Sequence, residues 1–272
     1  MNLSSSALAA PAAPVASTAP QLGFTQFGTG PEPVLVLHDW LGDHTNYDAV
    51  LPYLDGNAFT YAFVDLRGYG RSKHLTGDYS IDEIARDCLG VADAFGWARF
   101  HVLGHSMTGM ATQRIAANAP ERIKSAVAVC PISAAGNRLP PEAAAFFAAT
   151  CESDDAFRRL VKFVTGGLSD VWADRKLRQN REGVASACRP RYLDMMTTVN
   201  FVDDVKGLET PFLVIVGEKD PGLGAEAMQA TFLAWHPNAQ LASIPNCGHY
   251  PMQECPPYFA LLVENFLRQH AG

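Results

Sequence analysis

The sequence predicts an α/β fold, a mainly parallel central sheet covered by helices on both faces, with one long helical insertion. Three observations carry this. Short apolar runs rich in β-branched and aromatic residues alternate with longer helical patterns, as buried strands and their crossover helices do. Most of the runs are continuously apolar, the mark of strands covered on both faces. The interval from Cys130 to Phe212 holds helical patterning and no strand signal, far more chain than one crossover needs.

Taken in order, residues 1–20 are rich in Ala, Ser and Pro and read as a poorly ordered or surface-laid extension. Leu22–Phe27 alternates and predicts an antiparallel edge strand. Buried strands are predicted at Val34–Leu37, Tyr61–Val64, Phe100–Leu103, Ser125–Cys130, Phe212–Val216 and Gln240–Ile244. Ser80-Ile81-Asp82-Glu83 is a capping box that opens a helix carrying Ile84, Cys88, Val91 and Phe95 on one face. Another helix follows Ser106, and the last runs from Pro257 to Gln269. Glu142–Thr150, Asp154–Val164 and Ser169–Arg178 are helical patterns within the long interval. The core is therefore expected at 21–133 and 206–272, with 134–205 an insertion. Its borders fall at strand carboxyl ends, where ligands bind in such folds, so the insertion reads as a lid.

Composition narrows the function. The 272 residues, 48% hydrophobic and 18% charged, can bury one sizeable core in a single domain. A net charge of -7 argues against nucleic-acid or anionic-membrane partners. There is no apolar run of about 18 residues, so no membrane span is expected. The first segment lacks Lys and Arg and is broken by Pro11 and Pro14, unlike a secretory signal. Six cysteines without a C-x-x-C pair read as free thiols in a reducing compartment, and a cytoplasmic monomer or homodimer acting on a small molecule is expected.

The chemistry centres on Gly104-His105-Ser106-Met107-Thr108-Gly109, set between a buried strand and a helix. A serine on so sharp a turn is held exposed on a strained backbone, and the next N–H, that of Met107, points toward a substrate oxygen. Thr108 stands where a second small residue is usual. His38-Asp39-Trp40-Leu41-Gly42 follows the Val34–Leu37 strand, and Asp65-Leu66-Arg67-Gly68-Tyr69-Gly70-Arg71-Ser72 follows the next. Asn246-Cys247-Gly248-His249-Tyr250-Pro251 follows the last. In these motifs and their order, nearly the whole chain from Leu22 onward resembles the α/β-hydrolase superfamily.

That resemblance implies a serine hydrolase with Ser106 as nucleophile, His249 as base and Asp220 as the acid that orients it. Asp220 follows the Phe212–Val216 strand. The other position that the superfamily uses, after the preceding strand, reads Cys130-Pro131-Ile132-Ser133 and has no carboxylate. Glu218 reads as a solvated loop charge or a partner of Lys219. Among the eight histidines, His105 reads as a hydrogen-bonded core residue and His38 as a brace for the oxyanion loop. His44, His74, His236 and His270 read as surface or turn residues. The oxyanion donors are expected to be the N–H groups of Met107 and, by analogy, Trp40.

Asp39 replaces a glycine usual in the superfamily. Pointing inward it would oppose a developing negative charge, so it is expected to turn away and bond to local backbone. Asp65 and the glycines after it read as a tight turn, with Arg67 bridging loops. No H-E-x-x-H spacing, P-loop or dinucleotide motif is present, so no metal and no cofactor are implied. Substrate contacts are expected from Trp40, Phe146, Phe163, Trp172 and Met195. The expected reaction is acyl transfer on a small ester, lactone or amide, with an activity limb near about pH 6 to 7. Carbon–carbon hydrolases of aromatic breakdown usually carry Trp after the histidine, where this chain has Tyr250. Cofactor-free dioxygenases usually carry His after the serine, where this chain has Met107. A small-molecule receptor on the same scaffold is a further alternative.

Overall fold

A computed structural model describes residues 22–272, so the extension read at 1–20 lies outside the described residues. The apolar runs form one seven-stranded sheet in the order β1-β3-β2-β4-β5-β6-β7. Its strands are β1 (Phe24–Phe27), β2 (Glu32–Leu37), β3 (Phe59–Val64), β4 (Phe100–His105), β5 (Ile123–Val129), β6 (Phe212–Gly217) and β7 (Ala239–Ile244). Only β1 runs antiparallel, pairing Phe24 with Val64 at the edge. β7 is half-exposed rather than buried, because it is the other edge and has β6 as its sole neighbour.

Successive residues of a strand point to opposite faces, and this divides the core in two. Leu35, Leu37, Val102, Ala128, Val214 and Val216 pack on one face, against helices α1 (Ile81–Ala94) and α2 (Met107–Asn118). Val34, Val36, Phe63, Leu103, Val127 and Ile215 pack on the other. Each side chain of this size stabilises the fold by about 1.5–3 kcal/mol when fully buried.

The start of α1 departs slightly from the expected box. Ser80 Oγ accepts from the Glu83 N–H at 3.2 Å, but Glu83 reaches back to the Tyr79 N–H at 2.8 Å rather than to Ser80. Tyr79 has φ 55°, which turns its N–H toward that carboxylate.

Between β5 and β6 the chain forms α3 (Pro141–Ala149), α4 (Asp154–Val164), α5 (Asp170–Gly183), α6 (Cys188–Thr198) and the short α7 (Val202–Val205). The pattern over α6 was not recognised as helical; Pro190 falls in its first turn, where no intrahelical N–H is needed. The insertion is fastened to the core by backbone contacts. The Ala185 N–H donates to Gly68 O at 2.8 Å, Asn180 Nδ2 to Leu41 O at 3.0 Å, and Tyr192 Oη to Arg67 O at 3.2 Å. Gly68 has φ 84°, and a Cβ there would sit 2.6 Å from Cys188 Sγ, so glycine is required.

After β6 come α8 (Ala225–Ala230) and α9 (Phe232–Trp235), and after β7 come α10 (Pro251–Glu254) and α11 (Pro256–Gln269). α11 covers the second face with Phe259, Val263, Phe266 and Leu267. No helix of the described residues is long and apolar enough to cross a membrane.

Candidate active site

β4 ends at His105 and α2 begins at Met107, leaving Ser106 alone to turn the chain. Its φ of 56° and ψ of -112° lie outside the ordinary wells for a residue with a Cβ. Tight packing enforces the conformation. A Cβ on Gly104 would lie 2.1 Å from Thr108 O, and one on Gly109 would lie 2.4 Å from Pro131 Cβ. Thr108, in place of the usual small residue, satisfies two backbone groups. Its Oγ1 accepts from the His105 N–H at 2.9 Å and donates to His38 O at 2.8 Å, joining the serine turn to the loop after β2.

His249 leaves the end of β7 in a loop held from several sides. Its own N–H donates to Val164 O at 2.8 Å. Glu254 accepts from the N–H groups on either side, Gly248 and Tyr250, each at 2.9 Å, and from Gly166 at 2.7 Å. His105 donates from Nε2 to His249 O at 2.7 Å, which makes it the buried structural histidine that the sequence suggested. Burial first, and then the positive charge of His249, push His105 down to about 3, so it stays neutral.

Asp220 Oδ2 lies 2.6 Å from His249 Nδ1, and its Oδ1 accepts from the Gly222 and Leu223 N–H groups at 3.1 Å each. Burial alone would raise this carboxyl, but the His249 charge and these hydrogen bonds outweigh it and hold Asp220 below the usual range. It is therefore a carboxylate that accepts a hydrogen bond from Nδ1–H and leaves His249 Nε2 without a proton. For His249, burial pushes down while Asp220 pushes up more strongly, and the net shift is upward. Glu218, the rival acid, is occupied elsewhere, accepting from the Asn246 N–H at 2.8 Å.

Ser106, His249 and Asp220 border one cavity of about 220 Å³. Among the described residues, no hydrogen bond joins Ser106 Oγ to His249, and no acceptor is hydrogen-bonded to the N–H of Trp40 or Met107. The Trp40 indole donates to Arg189 O on α6 at 2.9 Å and stacks on Phe147 at 6.2 Å. His38 takes the Leu66 N–H on Nε2 at 3.1 Å, so Nδ1 carries the proton and donates to Asp39 O at 2.7 Å. It braces the loop, as expected.

The expected aromatic contacts separate into two groups. Trp40 and Phe163 border the cavity. Phe146 instead lines an outer groove, Trp172 packs on Tyr250 and donates to Gln253, and Met195 is buried in the insertion. Their sequence neighbours Phe147 and Met196 border the cavity in place of Phe146 and Met195. Adjacent helix residues differ by about 100° in direction, so a periodic stripe does not say which of two neighbours faces inward.

Asp39 also departs from expectation. It bonds to side chains rather than to local backbone: Oδ1 accepts from Asn46 Nδ2 and Oδ2 from Tyr250 Oη, each at 2.7 Å. Lys176 Nζ from α5 lies 3.9 Å from Oδ1. Two further histidine readings are corrected. His44 is half-buried against Asp65 at 2.8 Å, and His236 is buried beside Gln113 and Phe212. His101, which the sequence did not single out, is buried in β4 against Ser125 at 2.8 Å. Arg67 does bridge elements, forking onto Asp87 and donating to Thr76 O at 2.9 Å.

Cys130 follows β5 with φ 41°, and its sulfur lies within 4.8 Å of the ligand atoms of Asp220 and His249. Burial pushes the Cys130 thiol well up, so this trio holds a neutral thiol beside an acid–base pair already bonded to each other.

A family model described as alpha/beta hydrolase fold matches residues 32–254. A 2-heptyl-3-hydroxy-4(1H)-quinolone dioxygenase of Mycobacteroides abscessus is 39% identical over 97 residues, 35% of this chain and 36% of that protein. The 2-hydroxymuconate semialdehyde hydrolase of Pseudomonas putida is 28% identical over 216 residues, 75% of each chain. Among solved structures, an esterase from Exiguobacterium antarcticum superposes with a TM-score of 0.81 at 16% identity, over 90% of this chain and 94% of that one. The match to the dioxygenase spans about a third of its length, and that similarity is local.

Proposed function

The chain belongs to the α/β-hydrolase fold family, and from that premise we propose that it is a serine hydrolase cleaving a small ester, lactone or amide through an acyl-enzyme. One observation carries the reading. A buried, hydrogen-bonded Asp220–His249 pair opens onto the same small cavity as a serine forced to φ 56°.

In the proposed reaction His249 Nε2 takes the proton of Ser106 Oγ as that oxygen attacks the substrate carbonyl. The N–H groups of Trp40 and Met107 hold the resulting oxyanion. The protonated His249 then gives its proton to the leaving alcohol or amine, and the C–O or C–N bond breaks. Water, deprotonated by the same base, releases the acid. Asp220 keeps the Nδ1 proton in place and stabilises the imidazolium. The insertion acts as a lid, supplying Phe147, Leu160, Phe163 and Met196 to the cavity wall.

The test is labelling with a fluorophosphonate probe, mapped by mass spectrometry, followed by an ester, lactone and amide panel. Labelling of Ser106 is expected. Labelling elsewhere, or none with the protein folded, would refute the assignment.

A cofactor-free dioxygenase is the second reading, favoured by the 39% identity to the quinolone dioxygenase over 97 residues. There the Asp220–His249 pair would take a proton from a hydroxylated heteroaromatic ring. Oxygen consumption with a 3-hydroxy-4-quinolone, undiminished in Ser106→Ala, would establish it over the hydrolase.

A further inference from the structure

Resting on the hydrolase reading, we infer that this site selects acyl groups bearing no negative charge, and that the Asp39–Lys176 pair sets the preference. Asp39 borders the substrate cavity beside Trp40. Its partner Lys176 does not. Lys176 is 2% exposed, donates to Asn46 Oδ1, sits 4.8 Å over the Tyr250 ring, and borders a second cavity of about 210 Å³ with Thr45 and Gln179. The pair thus lies within the wall between the two cavities, Asp39 bordering the substrate cavity and Lys176 the one behind.

Nothing on the substrate side offsets that charge. The residues bordering the cavity include Asp39 and Asp220 and no Lys or Arg. Asp220 is answered by His249, and the walls are otherwise largely apolar, with Leu41, Ile132, Leu160, Val164, Met196 and Leu223. The nearby lid cations Arg159 and Lys162 border a separate groove shared with Phe163, where Lys162 pairs with Asp170 and Arg159 lies 5.3 Å over the Phe146 ring.

An anionic acyl chain would therefore shed water in an apolar cavity, face a fixed carboxylate and find no cation. For a substrate carboxylate about 8 Å from Asp39 and about 12 Å from Lys176, at an effective dielectric of about 20, the repulsion net of the Lys176 attraction corresponds to about threefold in binding. Desolvation of the substrate charge acts in the same direction. The side chain that replaces the usual glycine at Asp39 would then be a specificity determinant.

The experiment compares kcat/KM for p-nitrophenyl butyrate and mono-p-nitrophenyl succinate, whose acyl chains differ in a terminal methyl or carboxylate. The wild-type protein should prefer the butyrate by more than about threefold, the contribution of the pair with desolvation added to it. The double variant Asp39→Asn/Lys176→Met removes both members of the buried pair and leaves neither charge alone. Its ratio should fall by about threefold, the part that the pair supplies, while the part due to desolvation in the apolar cavity stays. Equal use of both esters by the wild type, or an unchanged ratio in a folded double variant, would overturn the inference. Binding of both esters to Ser106→Ala, measured by calorimetry, gives the same ratio without turnover. It decides the charge preference even if the double variant does not fold or the chain hydrolyses neither ester. Loss of the hydrolase reading would show instead as no turnover and no probe label on Ser106.

Discussion

Replacing Asp220 by Asn tests the proposed base and its orientation together. Asp220 Oδ1 is fixed by two N–H donors, Gly222 and Leu223 at 3.1 Å, while Oδ2 faces His249 Nδ1 at 2.6 Å. An Asn side chain fits the same space, but those donors demand its oxygen, which turns its NH2 toward the imidazole. The amide then donates to Nδ1, and the neutral ring must carry its proton on Nε2, where it cannot accept the serine proton. A wrong tautomer of this kind in a Ser-His-Asp site costs about 10⁴ in kcat, near 5.5 kcal/mol of transition-state stabilisation.

The pH dependence moves as well, and its direction follows from the structure. His249 must be neutral to act, so activity is lost as pH falls through its pKa. In the wild type that pKa is raised above the ordinary 6.5, because Asp220 outweighs burial, so the acid limb should lie above 6.5. Asn removes the two contributions from Asp220, the largest that raise the pKa, and leaves burial, which lowers it, against the smaller upward pull of Asp39 and Glu254. The limb of the residual activity should therefore move down. The assay is kcat/KM for p-nitrophenyl butyrate over a pH series, with circular dichroism as a folding control. A variant retaining a tenth of wild-type kcat, or a limb that moves upward, would refute the reasoning.

Other outcomes follow from the supporting contacts. Thr108→Val leaves the His105 N–H and His38 carbonyl buried without a partner; about 1–3 kcal/mol per group should be lost in urea unfolding, with Thr108→Ser restoring most of it. Gly104→Ala drives a Cβ to 2.1 Å from a backbone oxygen, and a stability loss of about 3 kcal/mol or more is expected from the resulting strain. A melting curve within a degree of wild type would contradict it. Glu254→Ala frees the N–H groups on both sides of His249, so kcat should drop about 10- to 100-fold through misplacement of the base. Fluorophosphonate labelling of Ser106 should slow in parallel, and an unchanged labelling rate would show that Glu254 does not position His249.

What could be read in advance was local. Each strand is a run of adjacent apolar residues, and all seven predicted runs overlap observed strands. Ser106, Asp220 and His249 follow the carboxyl ends of β4, β6 and β7 within a few residues, so one topology places them at the same end of the sheet. The partners of Asp39 were not legible, because Asn46 and Lys176 are separated by 130 positions and meet only when the insertion folds back. His236 lies in a polar His-Pro-Asn turn that reads as surface. Its burial comes from Phe212 and Phe232, which the strand and a later helix bring beneath it.

The two places where this chain abandons a small residue, Asp39 and Thr108, share one physical logic. A glycine beside the oxyanion loop gives clearance and no anchorage. Here both added side chains are buried and bonded, and both hold the segment from His38 to Trp40. Thr108 ties it to the serine turn through His38 O, and Asp39 ties it to Tyr250 beside the base and, through Asn46 and Lys176, to α5. The Trp40 indole adds a bond to α6. The Trp40 N–H, proposed as an oxyanion donor, is thereby positioned by the Ser106 turn, the His249 loop and the insertion together. A donor fixed before reaction needs no reorganisation as charge develops, the condition under which such a donor is most effective. That fixation places a buried carboxylate next to the proposed oxyanion site. The same Lys176 that anchors the loop to α5 also offsets part of this charge from behind, so anchorage and charge balance depend on one residue of the insertion.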